Sequence, residues 1–600
     1  MTRSFALAAF LAVCAWPASA QDIRVLADEP QHVFEGAGTS FGLFLNNYVN
    51  AGDDARAELV RLIAEDLDLR YLQDYTNRPN GEGFYPNEDL DYFDRRANFV
   101  KDVRAVRPDV QFSVVTNSFP DELRTDLVMM GRHGKVETYR VLDTDDPEIY
   151  EKLADWYFQI FRAYDARGVS VEILNAVNEP DLLVCGSNVL QCRTHHYGYD
   201  GDNLRGVAEI FAQAVPAFKA KFADPAQNPT GMPVPRIMGP STFAPGGGGS
   251  NFEGGALAYV RYFKNERPGA WDHIDIVATH QYENGVRGDL FQALRAEADG
   301  KPIHQSETHG SRQFLEGTGI RPGLSTALSF AQQFGAAVNF GTSAWYYFQT
   351  NYPNPLDDQP DGRRFNPGGL ISLSPPDIPD PVPYKQYYAF RQLTSAQPLG
   401  ADVLDYTASA GRRADVVAFR KAGENTVYVS VTNTEGTGKP IDLTLGEAGG
   451  TRVVTQYTIR RTDAANDDAV VADVTPPLGT TTLQVTLPPY SVNTFTVAMG
   501  ALNATDGEDG PDTAVAALLP AAPNPTAGPT TLRYRLAEPA DVELVVYDVL
   551  GKQVARVVDR AEGPGTHRVP FDASGLAAGV YVVRLRAGAV VSTQRVVVTR

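Results

Sequence analysis

The sequence predicts an α/β fold: a (β/α)8 TIM barrel with an attached β-sandwich, followed by a linker and a small C-terminal β-sandwich. The chain has 600 residues, more than one hydrophobic core usually serves, so several domains are expected in series. Short β-like runs alternate with amphipathic segments between residues 33 and 397, which is typical of βαβ units around a parallel sheet. Beyond residue 397 alternating β patterns replace the helical ones.

Eight candidate strands account for a closed barrel, in which each parallel strand is followed by a helix. The candidate strands are 34–38, 69–74, 110–116, 169–175, 236–240, 274–280, 302–307 and 337–347. Segments with helical periodicity lie between them. They include 55–66, 90–106, 147–167, 203–222 and 324–335. The barrel is therefore expected over residues 33–397.

Two β-rich modules are expected after the barrel. Residues 398–499 predict a sandwich, to which residues 21–32 are expected to add an N-terminal strand that joins the two modules. Its candidate strands are 416–420, 426–432, 452–459, 481–487 and 491–497. Residues 500–520 are small, acidic and rich in glycine, which predicts a flexible linker. Residues 521–600 predict a second small sandwich. Its candidate strands are 531–536, 542–548, 567–572, 579–585 and 590–598.

The first twenty residues have the features of a secretion signal. A short positive start, an apolar run too short to span a membrane and the end Ala18-Ser19-Ala20 predict a signal peptide over residues 1–20. A buried N-terminal helix is the alternative. Elsewhere no stretch approaches the ~20 apolar residues of a membrane span, so a soluble mature protein is expected.

The net charge and the cysteines indicate which kinds of partner and cross-link the protein can have. The formal net charge of −20 argues against a nucleic-acid partner, because affinity for the phosphate backbone depends on clustered Lys and Arg. Cys14 leaves with the signal peptide, so Cys185 and Cys192 are expected to form a disulfide in an oxidising destination. A metal bound near this pair by His195 and His196 is the alternative. Otherwise neither a metal nor a cofactor is expected, and the protein is expected to be a monomer.

Two carboxylates follow candidate strands four and seven, at the rim where such a barrel carries its functional residues. Glu179 follows Asn178, and Pro180 is expected to stop the sheet and restrict Glu179 to extended geometry. Glu307 ends the run 302–307. A simple turn around Pro180 and a surface ion pair at Glu307 are the alternatives for each site alone. Hydrolysis of a glycosidic bond with retention needs such a pair on one rim, ~5–5.5 Å apart.

These features resemble clan A glycoside hydrolases, whose acid/base follows an asparagine at the end of strand four and whose nucleophile ends strand seven. The barrel joined to a sandwich that includes the N-terminal strand is most similar to glycoside hydrolase family 30. Further matches over residues 22–498 are Phe34-Glu35-Gly36-Ala37-Gly38, Gly239-Pro240-Ser241, Thr279-His280-Gln281-Tyr282, Ser343-Ala344-Trp345 and Leu487-Pro488-Pro489-Tyr490-Ser491-Val492.

The resemblance implies a retaining, endo-acting β-glycoside hydrolase with a polysaccharide or oligosaccharide substrate. It implies that Glu179 is the acid/base and Glu307 the nucleophile. Asn178 would bind the sugar 2-hydroxyl, Tyr282 would support Glu307, and Trp345 would form the floor of the subsite. Core packing is the alternative for Trp345.

Two further residues are implied near the cleft. Arg70, in candidate strand two, would keep Glu307 ionised, with a helix-surface salt bridge as the alternative. His280 would line the cleft, with a purely structural histidine as the alternative.

The chain departs from the family pattern after strands three and four. About 130 residues separate the two glutamates, against about 95 for three of eight units in a ~250-residue barrel. Part of the excess lies in the loop after strand four, which contains both cysteines together with His196 and Tyr197. This loop is expected to form a disulfide-stiffened wall beside the leaving-group subsites; a loop that is simply long is the alternative. Residues 116–120, which end strand three, lack the tryptophan common in family 30.

Three motifs near the C-terminus resemble the type A sorting domain of the type IX secretion system. They are Ala522-Pro523-Asn524-Pro525, Val546-Tyr547-Asp548-Val549-Leu550-Gly551 and Gly575-Leu576-Ala577-Ala578-Gly579-Val580-Tyr581. The resemblance implies export by the type IX machinery, so the protein is expected to be secreted or attached to the cell surface. A sugar-binding sandwich is the alternative.

The sequence leaves the polymer open among xylan, β-1,6-linked glucan or galactan, and agar- or porphyran-type galactans. It also leaves open whether chain ends or internal bonds are cleaved. A noncatalytic glycan-binding protein or a surface adhesion protein on a degenerate barrel is the alternative function. The presence of both Glu179 and Glu307 argues against these two.

Overall fold

A computed structural model of the protein divides the chain into two compact units, Met1–Asn503 and Ala504–Arg600. It describes residues 20–42, 45–75, 90–116, 119–130, 136–181, 202–246, 254–282, 287–311, 315, 318–351, 369–394, 400–445, 452–477, 479–501, 516–548, 552–588 and 590–599. The predicted signal peptide therefore lies outside the described residues, apart from Ala20. Among the described helices none is long and apolar enough to cross a membrane.

The first unit contains a closed barrel of eight parallel strands. The barrel strands are β2 (Gly36–Ser40), β3 (Tyr71–Tyr75), β4 (Gln111–Val115), β7 (Ile173–Asn175), β8 (Arg236–Thr242), β9 (Ile276–His280), β10 (Ile303–Thr308) and β11 (Thr342–Tyr347). Each predicted barrel strand overlaps one of them, so the predicted fold class is confirmed. The prediction for strand eight started too early, because residues 337 and 338 end the preceding helix.

Helices alternate with the barrel strands and cover the outside of the barrel. They are α1 (Leu45–Val49), α2 (Asp53–Arg61), α3 (Leu90–Val106), α4 (Ile149–Asp165), α5 (Asn203–Glu209), α6 (Val215–Ala223), α7 (Gly255–Glu266), α8 (Pro268–Asp272), α9 (Gly288–Glu297), α10 (Pro322–Val338) and α11 (Lys385–Thr394). Short π-helical turns, Leu62–Asp66 and Ile210–Ala214, extend α2 and join α5 to α6. Helix α4 shows the sequence cause, because Ile149, Leu153 and Tyr157 recur every four residues and are buried.

Two hairpins interrupt the barrel pattern and were not anticipated. One pairs β5 (Arg124–Met130) with β6 (Val136–Leu142) after β4. The other pairs β12 (Ile371–Ser374) with β13 (Ile378–Pro383) after β11. Both follow the C-terminal end of a barrel strand, which is the end where the rim loops lie.

The N-terminal strand β1 (Gln21–Phe34) belongs to a second sheet in the first unit. It pairs antiparallel with β14 (Ala401–Ala408) and parallel with β17 (Lys439–Leu445). The other strands of this sheet are β15 (Val416–Arg420), β16 (Thr426–Asn433), β18 (Arg452–Thr462), β19 (Ala469–Val474), β20 (Thr482–Leu487) and β21 (Ser491–Ala501). Strand β1 runs directly into the barrel strand β2, and β14 follows the last barrel helix, α11. The chain therefore connects the sheet to the barrel both before the first barrel strand and after the last barrel helix.

The strands of this sheet are ordered β19-β18-β21-β16-β15-β14-β1-β17-β20. One hydrophobic cluster combines Ile441 and Leu483 from one end of this order with Val454 and Phe495 from the other. The sheet therefore folds over on itself into two packed layers, which is the sandwich arrangement.

The second unit is a small two-sheet structure. Its strands are β22 (Ala516–Ala522), β23 (Pro529–Leu536), β24 (Ala540–Tyr547), β25 (Gln553–Glu562), β26 (Gly565–Asp572), β27 (Gly579–Ala587) and β28 (Val590–Val598). They form the sheets β22-β23-β26 and β25-β24-β27-β28 around a core that includes Tyr534, Leu544 and Leu585. The predicted linker at 500–520 was too long, because its ends belong to β21 and to β22, which pairs with β23.

Candidate active site

Three buried side chains meet at the C-terminal ends of the barrel strands. One carboxylate oxygen of Glu179, one of Glu307 and one ring nitrogen of His280 all lie within 4.8 Å of one another. The side chains of Glu179 and Glu307 are 12% and 8% exposed. The two carboxylates are therefore close enough for both to contact one sugar ring, at about the ~5–5.5 Å spacing of retaining glycosidases.

The segment after β7 places Glu179 through hydrogen bonds to three other elements. The hydroxyls of Thr116 and Tyr157 donate to the Ala176 carbonyl at 2.5 and 2.8 Å, and the Glu179 amide donates to the Ser241 carbonyl at 2.8 Å. Glu179 has a φ of 47°. The expectation of extended geometry before proline was therefore wrong: this backbone is left-handed, a conformation that non-glycine residues adopt mainly where surrounding contacts impose it.

Glu307 lies on β10, directly across from His280 on β9. Two phenolic hydroxyls donate to its carboxylate, Tyr282 to Oε1 at 2.6 Å and Tyr75 to Oε2. Gln73 donates to the Tyr75 hydroxyl at 3.1 Å, which fixes the direction of that phenol. Hydrogen bonds from O–H donors favour the charged carboxylate, so they prepare Glu307 for a role as an anion.

The His280 imidazole lies between the two carboxylates. Its Nδ1 is 3.0 Å from Oε1 of Glu179, and its Nε2 is 3.8 Å from Oε2 of Glu307. Burial lowers the pKa of His280, an effect that Glu307 opposes. The ring is therefore neutral near pH 7 and has one N–H and one lone pair to share between its neighbours.

Burial raises the pKa of Glu179 to about 8, so Glu179 is mostly protonated at neutral pH. Burial also raises the pKa of Glu307; the charge of Glu179 adds to this rise, while His280 and the hydroxyls of Tyr282 and Tyr75 act against it. Two carboxyl groups this close titrate as a coupled pair. The hydroxyl donors around Glu307 favour the arrangement in which Glu307 carries the charge and Glu179 the proton.

A further acid, Asp181, lies next to the pair and was not found from the sequence. It is fully buried, and its Oδ1 accepts a hydrogen bond from the Phe243 amide at 2.6 Å. Burial raises the pKa of Asp181 to about 8, and the nearby charge of Glu179 adds to the rise. The available signal was the second acid two residues after Glu179, in Asn178-Glu179-Pro180-Asp181.

The structure does not bring Trp345 to the site. Strand β11 alternates, so that Ala344 and Tyr346 face the barrel interior while Trp345 points outward and is fully buried. Its ring packs against Phe330 of α10 at 5.1 Å. Trp345 is therefore packed in the core, which was the alternative expected for it.

Arg70 is also remote from Glu307. It precedes β3, at the strand end opposite to the rim, and its Nη1 contacts the Asp109 carboxylate at 2.9 Å. Tyr75, at the rim end of the same strand, contacts Glu307 instead. The residue beside Glu307 therefore comes from the predicted strand, but from the end opposite to Arg70.

Phe348 is the aromatic residue that the structure places at the rim end of β11. It is half-buried, and its ring centroid is 5.7 Å from that of Tyr75. Tyr282, on the opposite side of Glu307, stacks on Phe243 with centroids 5.0 Å apart. Aromatic rings thus lie beside both hydroxyl donors of the nucleophile candidate.

The remaining candidates divide into one buried residue and one loop. Asn178 is buried next to Glu179 in the sequence. Cys185, Cys192, His196 and Tyr197 lie in the segment 182–200, outside the described residues.

Residues 521–599 match the family model described as the secretion system C-terminal sorting domain. The second unit carries a type IX sorting domain. The protein is accordingly secreted or attached to the cell surface, as predicted.

Several solved structures that are similar to this chain are glycoside hydrolases. A family 30 endoxylanase from Clostridium papyrosolvens has a TM-score of 0.57 at 14% identity, covering 80% of this chain and 100% of its own. The family 30 xylanase Xyn30A from Clostridium acetobutylicum has a TM-score of 0.55 at 16% identity, with 80% and 99% covered. An endo-β1,6-glucanase has a TM-score of 0.52 at 13% identity, with 80% and 94% covered. No curated protein sequence matches the chain.

The barrel and its attached sandwich therefore have the fold of glycoside hydrolase family 30 and its clan A relatives. At these identities the likeness establishes the fold. The chemistry has to be argued from the side chains of this chain.

Proposed function

We propose that the protein is a retaining β-glycoside hydrolase in which Glu179 is the acid/base and Glu307 the nucleophile. The proposal depends on one observation above all: one carboxylate oxygen of Glu179 and one of Glu307 lie within 4.8 Å of each other at the rim of the barrel. That spacing leaves no room for a water molecule between a sugar and the second carboxylate, which an inverting enzyme would need.

In the first step the Glu307 carboxylate attacks the anomeric carbon while Glu179 donates its proton to the glycosidic oxygen. The C–O bond to the leaving group breaks, and a covalent glycosyl ester forms on Glu307. Because the pKa of Glu179 is raised to about 8, this residue carries the proton to be donated at neutral pH. The hydroxyls of Tyr75 and Tyr282 orient the attacking carboxylate.

In the second step Glu179, now a carboxylate, removes a proton from water as the water attacks the anomeric carbon. The ester bond to Glu307 breaks, and the sugar leaves with its original configuration. The neutral His280 ring contacts both carboxylates, so it can exchange hydrogen bonds with each as the negative charge moves between them.

The sugar bound over Glu307 has two aromatic neighbours. Phe348 offers a half-buried ring beside Tyr75, and an aromatic face suits the C–H groups of a sugar ring. We assign to Phe348 the floor that the sequence argument had placed at Trp345. Asn178, buried beside Glu179, is the candidate to bind the 2-hydroxyl.

A polysaccharide or oligosaccharide is the expected substrate, and endo action is the proposed mode. Similar structures are named as xylanases and as an endo-β1,6-glucanase, which makes xylan and β-1,6-linked glucan the first polymers to test. Export to the cell exterior suits a substrate too large to enter the cell.

The test is the release of reducing sugar from a polysaccharide panel by the wild type and by Glu179→Gln, Glu307→Gln and Glu172→Gln. Glu172 is the matched control, because it lies at the opposite end of strand β7 and pairs with Arg104 at 2.6 Å. We expect the first two variants to lose at least ~10²–10⁴-fold in kcat, the usual contribution of a general acid/base, and the control to keep its activity. A folded wild type that binds a glycan and cleaves none would instead favour a noncatalytic glycan-binding protein.

A further inference from the structure

A buried ring nitrogen without a hydrogen-bond partner faces the two carboxylates. His280 Nε2 has no hydrogen-bond partner in the described part of the chain, and the side chain is 1% exposed. Oε2 of Glu307 lies 3.8 Å from this nitrogen, while Nδ1 lies 3.0 Å from Oε1 of Glu179. When Nδ1 carries the ring proton and donates it to Glu179, Nε2 presents a bare lone pair toward Glu307.

We propose that Glu179, His280 and Glu307 form a binding site for one divalent transition-metal cation of the Zn²⁺ class, and that the cation and the sugar exclude each other from the site. The inhibitory consequence rests on the proposed function, whereas the binding itself does not. In this arrangement the cation acts as an inhibitor and takes no part in hydrolysis.

The distances permit coordination with small side-chain adjustments. Zn²⁺ binds imidazole nitrogen and carboxylate oxygen at ~2.0–2.2 Å, so two ligands on one ion are separated by at most about 4 Å. His280 Nε2 and Glu307 Oε2, at 3.8 Å, are within that limit. One oxygen of Glu179 lies within 4.8 Å of one oxygen of Glu307 and of a ring nitrogen of His280, so the Glu179 side chain has to move toward the ion to complete a three-ligand site.

The chemistry of the donors selects the class of cation. An imidazole with two carboxylates suits zinc and its neighbours in the first transition row. Calcium takes six to eight oxygen ligands, and magnesium requires near-octahedral oxygen coordination, which these three side chains do not supply. In the described part of the chain no other group of three such side chains lies as close together.

The hydrogen bond at Nδ1 matches the way that proteins prepare a metal-binding histidine. A carboxylate that accepts from one ring nitrogen fixes the tautomer and directs the lone pair of the other nitrogen at the metal. Before the ion binds, Glu179 Oε1, 3.0 Å from Nδ1, is placed to hold this tautomer, and the hydrogen bond is exchanged for coordination when the Glu179 carboxylate turns toward the ion.

The experiment is titration of the purified full-length chain with ZnCl2, followed by isothermal calorimetry without any sugar. His280→Gln and Glu307→Gln are the test variants. His273→Gln is the matched control, because His273 lies three residues before the first residue of the same strand, β9, at its opposite end. We expect one site in the wild type and in the control, weakened at least ~10–100-fold in either test variant, the loss typical when partners of a metal site are removed.

A parallel measurement follows hydrolysis at increasing ZnCl2, where we expect KM to rise while kcat stays constant. Thermal unfolding establishes that each variant is folded, and the isosteric Glu307→Gln remains informative if His280→Gln is not. Zinc binding that is equal in all four folded proteins overturns the proposal, as does an active wild type that binds no zinc. A chain that binds zinc at this site but hydrolyses no glycan overturns the proposed function and leaves the cation site standing.

Discussion

At the scale of single residues, the proposed mechanism makes its first step depend on the proton of Glu179. Burial raises the pKa of Glu179 to about 8, and the acid must be protonated to assist the leaving group. We therefore expect kcat/KM to fall as the pH rises through about 8, because the acid form is lost. The measurement is a pH–rate profile between pH 5 and 10.

An activated aryl glycoside provides the internal control for this profile. Its leaving group departs with little protonation, so the alkaline fall in the glycosylation step should be weaker than for a natural glycan. A profile for the natural substrate that stays flat to pH 10 contradicts the assignment of Glu179 as the acid.

Tyr75 is the least expected residue at the site, and its hydroxyl donates to Glu307. Loss of a hydrogen bond to a charged group costs roughly 1.5–3 kcal/mol, so Tyr75→Phe should lower kcat/KM about 10–100-fold. Without this donor the anion is less stable, so the acidic limb of the pH–rate profile should move to higher pH. Tyr71→Phe is the matched control, because Tyr71 lies on the same strand and donates to Glu35 at 2.6 Å. Equal effects of the two substitutions would contradict a specific role for Tyr75.

Asp181 provides a test through stability. Its pKa, raised to about 8 by burial, means that the folded state keeps a proton that the unfolded chain releases near pH 4, so the wild type loses stability as the pH rises from about 4 to 8. Asp181→Asn keeps the acceptor for Phe243 and has no proton to lose. Relative to wild type, the variant should gain up to about 5 kcal/mol in the free energy of unfolding between pH 4 and 8, since the pKa is raised from 3.8 to about 8 and one pKa unit is worth about 1.4 kcal/mol.

Urea unfolding at several pH values measures this difference. Parallel stability curves for the two proteins would show that Asp181 is charged in the folded state.

Candidate residues that are defined by the strand they follow could be predicted from the sequence. Residues whose contacts depend on the direction of a side chain could not. Glu179 and Glu307 could be proposed from the sequence because Glu179 follows a recognisable strand, β7, and Glu307 lies at the end of another, β10. Tyr75 and Asp181 were missed because their roles come from contacts across the barrel with Glu307 and Phe243, which no local pattern records.

At the scale of elements, the alternation of β11 decides which aromatic residue can contact a sugar. Trp345 packs between the barrel and α10, whereas Phe348 lies past the strand end and is half-buried. We expect Phe348→Ala to raise KM about tenfold or more with little loss of stability, in line with ~1–3 kcal/mol for burying an aromatic group. Trp345→Ala should instead destabilise the fold by about 3–5 kcal/mol, as for other buried aromatic residues.

Steady-state kinetics and thermal unfolding of both variants test these two predictions. If Trp345→Ala raises KM without a change in the melting temperature, the assignment of the two residues is reversed.

Most barrel elements could be predicted because each parallel strand is a buried apolar run beside a periodic helix, as with β4 and α3. The sandwich was harder. Strand β19 is an edge strand with exposed Val470 and Val471, and β17 begins with a lysine and a proline, so neither shows clean alternation. Their pairing with β18 and with β1 supplies the order that their own residues do not.

At the scale of the whole molecule, the two units have separate hydrophobic cores. The first unit contains the barrel, its sandwich and the glutamate pair. The second matches a sorting domain and has a core of its own. The sequence predicted this division because the acidic, glycine-rich stretch before Ala516 separates two β patterns. It did not predict where the second unit begins, because the alanine-rich strand β22 resembles a linker until its pairing with β23 is seen.

The most direct test of the glutamate pair is to trap the covalent intermediate. The full-length protein is incubated with a 2-deoxy-2-fluoroglycosyl fluoride of the sugar that it hydrolyses, and its peptides are mapped by mass spectrometry. The proposed mechanism predicts one added sugar, on the peptide that contains Glu307, together with loss of activity. An active enzyme that acquires no label, or a label on any other residue, would contradict it.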